Sequence, residues 1–249
     1  MTPLLIIAPL IGAAIAFPLA RLTGRACGWL CAAIPMAAFV YLLRVLDQLD
    51  SSTAAHLVSF PWASAVGLEL SMRLDGLSIA FGLLITGIGT LVCLYADAYF
   101  QHDPRRGRFL SYLFLFMAAM LGLIFSDNIL VLFVFWELTS VASYLLIGFE
   151  HEKNASRQAA LQALLTTGAG GLALLVGLIL LGNAAGSYNF TDIIGTHGLQ
   201  EHPHYLAIVL LVVAGAATKS AQFPFHFWLP NAMAAPTPAS AYLHSSTMV

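Results

Sequence analysis

Charge is what this sequence has least of. Lys, Arg, Asp and Glu make up only 9% of its 249 residues, against about 25% in an ordinary soluble domain. A surface facing water could not be assembled from so few. A net charge of −2 gives no basic patch for nucleic acid and no acidic field to steer a substrate. Cysteine is equally thin. Cys27, Cys31 and Cys93 are odd in number, form no C-x-x-C pair and all fall in apolar stretches, so they supply neither a disulfide framework nor zinc spacing. They read as small packing residues. No Gly-rich phosphate loop follows a strand, and G-x-S-x-G and H-E-x-x-H do not occur, which removes the common soluble-enzyme sites. His197, His202 and His204 lack the spacing of a helical metal site. Neither metal nor cofactor is expected.

What is present is apolar sequence: 59% of residues are hydrophobic and the mean hydropathy is +0.85. It comes in runs of roughly 17–25 residues, the length that crosses about 30 Å of hydrocarbon. The expected fold is therefore an all-α polytopic membrane protein with about seven to eight transmembrane helices. The first run, Pro3 to Ala20, has no basic residue before it and Arg21 and Arg25 after it, the order of a retained span rather than a signal peptide. Further spans are expected at about 26–46, 75–99, 109–125 and 129–149, then, after a charged connector from Glu150 to Arg157, to about Leu181, and from Tyr205. Asp75 stands where an N-cap belongs. Between the second and third spans, Leu68 to Leu74 alternates apolar and polar residues, the period of a half-buried strand. Leu57 to Phe60 is its expected partner, broken by Pro61, so that 48–74 carries a small outer β-hairpin. The chain divides into 1–108, the first helices with the hairpin, and 109–249, a repeat that ends in an apolar segment at Thr247-Met248-Val249 and is expected to be incomplete.

Basic residues orient the bundle. With the N-terminus outside, Arg21, Arg25, Arg105, Arg106, Arg108, Lys153 and Arg157 fall on the cytoplasmic side, and only Arg44 and Arg73 on the outer side. Seven against two is the bias that the positive-inside rule demands. The stretch 183–204, with no Lys or Arg, lies outside.

Lys219 belongs to neither side, and Glu137 stands in mid-span. A lone charge in hydrocarbon costs at least about 2.5–3.5 kcal/mol, so each must face protein, water or a partner. The two are expected to form a carboxylate–ammonium pair in an ion pathway; the bland alternative is a pair that only locks two helices. Pro224 and Pro230, in Gln222 to Pro230, break the seventh helix, and broken helices at membrane depth are a common way to build ion sites. His244 lies in a hydroxyl-rich segment, able to carry a proton near neutral pH. His226, among aromatics, reads as structural or interfacial. Asp97 is expected to pair with an arginine or solvent, and Asp127-Asn128 to make a turn.

Trp136-Glu137-Leu138-Thr139-Ser140 followed by Tyr144 to Gly148 resembles the fifth-helix motif of the antiporter-like family. That family holds the A and D subunits of Mrp-type Na⁺/H⁺ antiporters and the proton-pumping membrane subunits of respiratory complex I. The run from Lys219 through Trp228-Leu229-Pro230-Asn231-Ala232-Met233 to Pro236 and His244 resembles its seventh and eighth helices. Asn231, where complex I relatives tend to be acidic, makes the likeness strongest to the N-terminal part of an Mrp A subunit. The resemblance implies a multi-subunit Na⁺/H⁺ antiporter in a bacterial cell membrane, with other membrane subunits and the lipid bilayer as partners. It implies a half-channel for H⁺ or cation in which Glu137 and Lys219 are the working pair and His244 continues the proton path. A proton-translocating subunit of a complex I-like dehydrogenase or membrane-bound hydrogenase is the alternative; a purely structural scaffold is a third reading. Two unit charges interact by about 4 kcal/mol at ~4 Å and about 1.7 kcal/mol at ~10 Å with an effective dielectric near 20. Moving Glu137 relative to Lys219 would therefore change how tightly the lysine holds its proton.

Overall fold

The structure is a computed structural model that describes residues 2–48, 55–63 and 68–247. The chain-end residues Met248 and Val249, the tip of the expected hairpin and its approach from 49 to 54 lie outside the described residues. The long helices are α1 (Leu4–Leu22), α2 (Cys27–Gln48), α3 (Gly76–Tyr99), α4 (Arg106–Phe125), α5 (Ile129–Ile147) and α6 (Asn154–Ala185). Among the described residues these six are long and apolar enough to cross a membrane. After the short α7 (Phe190–Gly195) comes α8 (Tyr205–Lys219), 15 residues long, or about 22 Å at 1.5 Å per residue. Beyond it the chain passes through a 3₁₀ turn, the four-residue α9 (Trp228–Asn231) and another 3₁₀ turn into α10 (Thr237–Thr247). This is the expected polytopic bundle with its broken seventh helix.

The break sits earlier than the prolines suggest. Helix α8 stops at Lys219 itself, and Ala221 takes φ +52°, a left-handed conformation uncommon for any residue but glycine. Pro224 comes five residues after Lys219 and prevents the helix from resuming by restricting the residue before it. Strand β1 (His56–Ala63) pairs antiparallel with β2 (Leu68–Leu74). Pro61 does not break β1 as expected: the strand continues to Ala63, and only the register shifts between those two positions. A two-stranded sheet is all edge, where a missing N–H is tolerated.

Local chemistry fixes the helix ends. Asp75 caps α3 in a reciprocal box: its carboxylate accepts from the Ser78 N–H at 2.9 Å while the Asp75 N–H donates to Ser78 Oγ at 2.9 Å. The Asn128 side chain caps α5 by accepting from the N–H groups of Leu130 and Val131. Helix α4 is the hub, with α1, α3 and α5 packed on it and Phe109, Leu110, Leu113, Phe114, Met117 and Leu121 fully buried. Helix α6 packs on α5 and α8, and α10 returns to α3 and α5.

The two ends of the bundle differ. At one, Arg106 bridges Asp97 at 3.2 Å and donates to the carbonyls of Ala20 and Gly24, while Arg105 and Arg108 both lie over the Phe149 ring. At the other, Met72 bridges Ser126 and Asn128 bridges Asn189. There Asp127 is buried and does more than turn the chain. Its carboxylate accepts from the N–H and hydroxyl of Thr191 at 3.1 and 2.7 Å, tying the α6–α7 connection down.

Candidate functional site

Helix α5 advances about 100° per residue, so Trp136, Thr139 and Ser140 share one face and Glu137 stands beside it. That face meets the end of α8. Lys219 Nζ donates to Thr139 Oγ1 at 2.7 Å, to Ser140 Oγ at 2.8 Å and to the Trp136 carbonyl at 3.3 Å. An ammonium has three protons, and all three are placed. Both hydroxyls donate back to the Trp136 carbonyl, Thr139 at 2.7 Å and Ser140 at 3.5 Å, which turns their lone pairs toward the lysine. The indole ring of Trp136 lies 5.3 Å from Nζ, within cation–π range. The charge is thus held by dipoles of one helix rather than by a counter-ion.

Glu137 is not that counter-ion. Among the described residues the ion pairs within 4 Å are Arg73–Asp75, Arg105–Asp103, Arg106–Asp97 and Lys153–Glu150. Glu137 and Lys219 do not join them. The expected pair is a neighbourhood rather than a contact. The Glu137 carboxylate turns toward α6 and lies against Gly171, and its Oε1 is buried without a hydrogen-bond partner among the described residues. An unmet buried acceptor is costly, a common mark of a group with a job to do. Asp97, by contrast, does pair with an arginine, as its position beside the basic loop led us to expect.

A cavity of about 400 Å³ joins Lys219 to His244, lined also by Thr139, Ser143, Thr167 and Trp228. His244 Nδ1 lies 2.6 Å from the Ser240 carbonyl, and since a carbonyl only accepts, Nδ1 carries a proton in this arrangement. Trp228 braces the region by donating its indole N–H to the Thr218 carbonyl at 2.9 Å. His226 is exposed and stacked near Phe223, outside this cavity. Sequence reasoning named the two charges and His244 but gave no part to Thr139, Ser140, Ser143 or Thr167. For the three on α5 the signal was present: Ser143 lies one helical turn from Thr139 and Ser140, on the face beside an intramembrane charge.

The family described as NADH:quinone oxidoreductase/Mrp antiporter, transmembrane, matches residues 126–249, and that described as NADH-ubiquinone oxidoreductase (complex I), chain 5 N-terminus, matches residues 62–110. A probable K⁺/H⁺ antiporter A/B subunit of Rhizobium meliloti is 44% identical over 98% of this chain and 24% of its own length. The A1 subunit of a Na⁺/H⁺ antiporter of Staphylococcus haemolyticus is 46% identical over 89% of this chain and 28% of its own. This chain therefore spans about a quarter of the length of the curated relatives it matches. Among solved structures, the Mrp complex from Dietzia sp. DQ12-45-1b superposes with a TM-score of 0.88 at 36% identity, over 98% of this chain and 26% of that one. A membrane-bound sulfane sulfur reductase, an archaeal respiratory complex, gives 0.82 at 22% identity over 96% and 49%, which shows the shared fold alone. The chain belongs to the antiporter-like family of membrane subunits common to Mrp antiporters and complex I, and its likeness within that family is to A subunits.

Proposed function

We propose that this chain forms a proton or cation half-channel in a multi-subunit monovalent cation/H⁺ antiporter of a bacterial cell membrane. Other membrane subunits are its partners, H⁺ and Na⁺ or another monovalent ion its cargo. One observation carries the reading: an ammonium held by hydroxyls and a carbonyl, open to a cavity that reaches a histidine, with a carboxylate close but unpaired. Held this way, Lys219 can give up its proton without breaking an ion pair. A carboxylate nearby favours the protonated lysine, and drawing its charge away or neutralising it favours release. A cation arriving at Glu137 would do this, so cation entry and proton departure toward His244 are coupled through one Coulomb interaction. Curated relatives named as K⁺/H⁺ and Na⁺/H⁺ antiporter subunits support the antiport reading. The complex I-like alternative rests on the family description; it requires redox chemistry on neighbouring subunits, so proton movement driven by a Na⁺ gradient alone separates the two.

The N-terminus is placed outside, with the Arg105–Arg108 and Lys153–Arg157 end in the cytoplasm. Cys27, Cys31 and Cys93 are buried, so an impermeant thiol reagent starts from a quiet background. A cysteine at exposed Lys153 is expected to react only from inside, and labelling in intact cells would reverse the topology. For the mechanism, Na⁺-dependent proton movement is measured in vesicles carrying the full assembly at equal abundance. Glu137→Gln keeps volume and removes charge; it and Lys219→Ala are expected to abolish transport. Lys219→Arg is expected to fail as well, because a guanidinium with a pKa above about 12 keeps the charge but does not release the proton. A merely structural cation would tolerate arginine. Normal transport by Lys219→Arg sinks the relay.

A further inference from the structure

Neither motif reading nor family resemblance assigns a part to α6, although α6 touches Glu137 and also Thr218, the neighbour of Lys219. Its sequence there is Gly168-Ala169-Gly170-Gly171. A methyl group placed on Gly171 would overlap Glu137 Oε1 and come within 3.0 Å of Cδ and 3.6 Å of Oε2. Oε1 therefore occupies the space a Cβ would take, with Cδ pressed close behind it and Oε2 in ordinary contact. One residue earlier, a methyl group on Gly170 would overlap Thr218 Oγ1 and approach its Cβ to 2.6 Å. Thr218 is buried and directly precedes Lys219, the last residue of α8. On the α8 side, a methyl group on Gly215 would meet the Gly170 carbonyl at 2.9 Å. Gly168, two residues away on the same helix, has open space around it.

Adjacent positions on a helix point about 100° apart. Gly171 thus receives the carboxyl group from α5 while Gly170 receives the residue next to the lysine from α8. We propose that Gly170 and Gly171 are positioning residues: a two-sided seat in α6 that fixes how far the Glu137 carboxylate stands from the Lys219 ammonium. This rests on the reading of Glu137 given above. The seat explains why the carboxylate approaches Lys219 without pairing to it. Oε1 is pressed against a backbone that offers it no donor, since the amide N–H groups in mid-helix are already engaged along the axis. The carboxylate is held by shape rather than by hydrogen bonds, so it can respond to an incoming cation.

The test is a rescue. In the full assembly in vesicles, Gly171→Ala is expected to lower Na⁺-dependent proton movement on the order of 10²-fold, the scale of an ångström-sized misplacement of a working group. Gly168→Ala, favoured by helix propensity and meeting no neighbour, is expected to leave the rate within about twofold. Glu137→Asp withdraws the carboxyl group by one bond, about 1.5 Å, and is expected to be slow on its own. Combined with Gly171→Ala it is expected to recover at least about tenfold over the Gly171→Ala single variant, because the shorter side chain clears the added methyl. If Gly171→Ala fails to accumulate, the double variant is expected to restore both abundance and transport. A double variant no better than the worse single one overturns the seat, as does a Gly171→Ala variant with an unchanged rate. Normal transport in Glu137→Gln would instead overturn the role of Glu137 itself, so the two failures are distinguishable.

Discussion

On α4, Leu110, Leu113, Phe114, Met117 and Leu121 are fully buried and pack as apolar side chains between α1, α3 and α5. On α5, one helix along, the inward residues are Trp136, Glu137, Thr139 and Ser140, facing a lysine, a cavity and a glycine seat. Both helices are apolar enough to span, yet they are stabilised differently. In a bilayer the association of helices comes from close packing and interhelical hydrogen bonds rather than from the hydrophobic effect. In mid-span α4 contributes close packing, whereas α5 packs closely too and adds the hydrogen bonds of Thr139 and Ser140 to Lys219. The α1–α4 body keeps its charges at its ends, as in Asp97–Arg106 and Asp103–Arg105; the α5–α6–α8 seam keeps two inside. On the function proposed above, one region holds a shape while the other changes its protonation within it.

Substitutions can break that contrast. Phe114→Ala removes a fully buried ring, and core Phe→Ala changes cost roughly 3–5 kcal/mol through lost contacts and the cavity left behind. Assembly abundance is expected to fall severalfold while transport per remaining molecule stays near normal. A full-abundance variant with slow turnover would mean that α4 belongs to the working machinery. Thr139→Val combined with Ser140→Ala is expected to do the reverse. It strips two acceptors from the Lys219 ammonium, each worth about 1.5–3 kcal/mol as a hydrogen bond to a charge. Transport is expected to drop at least about tenfold at unchanged abundance; unaltered transport would show that the hydroxyls are packing only. Asp127→Ala comes next. It deletes the acceptor for the Thr191 N–H and hydroxyl and is expected to cost roughly 1–3 kcal/mol, read as faster proteolysis in the α6–α7 connection. Equal cleavage rates would show that the backbone bonds across that joint suffice.

How much of this was legible beforehand follows the same division. Apolar runs and their polar punctuation locate α1 to α6 because a bilayer admits few other ways of satisfying the backbone. Asp75 as the cap of α3 was readable from one residue type in one place. Glu137 and Lys219 stood out because charge in mid-span is rare. What escaped is geometry that depends on the rotation of neighbouring helices. Glu137 and Lys219 look like an ion pair in sequence, but the carboxylate faces α6 and the ammonium faces Thr139 and Ser140. The end of α8 at Lys219 was obscured by Pro224, a stronger signal that comes five residues late. Pro61 suggested a strand break that an all-edge sheet does not need.

The smallest effect belongs to Asp103 and Arg105, at the basic end of the quiet region. Arg105 donates from Nε and Nη2 to the Asp103 carboxylate at 2.9–3.2 Å, and its backbone N–H donates at 2.7 Å. These bonds hold the Asp103 carboxyl group below its usual range, the side-chain bond from Arg105 contributing most, and raise the guanidinium in turn. A carboxyl group whose folded pKa is depressed contributes stability above its unfolded value, about 3.9, and loses it as pH falls toward the folded value. The pair is therefore intact from neutral pH to about pH 5 and fades below about pH 4. It is also partly exposed, with side-chain accessibilities of 23% and 33%, so it is worth less than about 1 kcal/mol and is screened by salt. Asp103→Asn is expected to lower the unfolding midpoint of the solubilised assembly only slightly at pH 7, with transport unchanged. Since asparagine does not titrate, the gap from wild type should close on acidification or in high salt. A gap that widens as pH falls would mean that the charge of Asp103 opposes the fold, and a loss of transport would place this loop on the ion path.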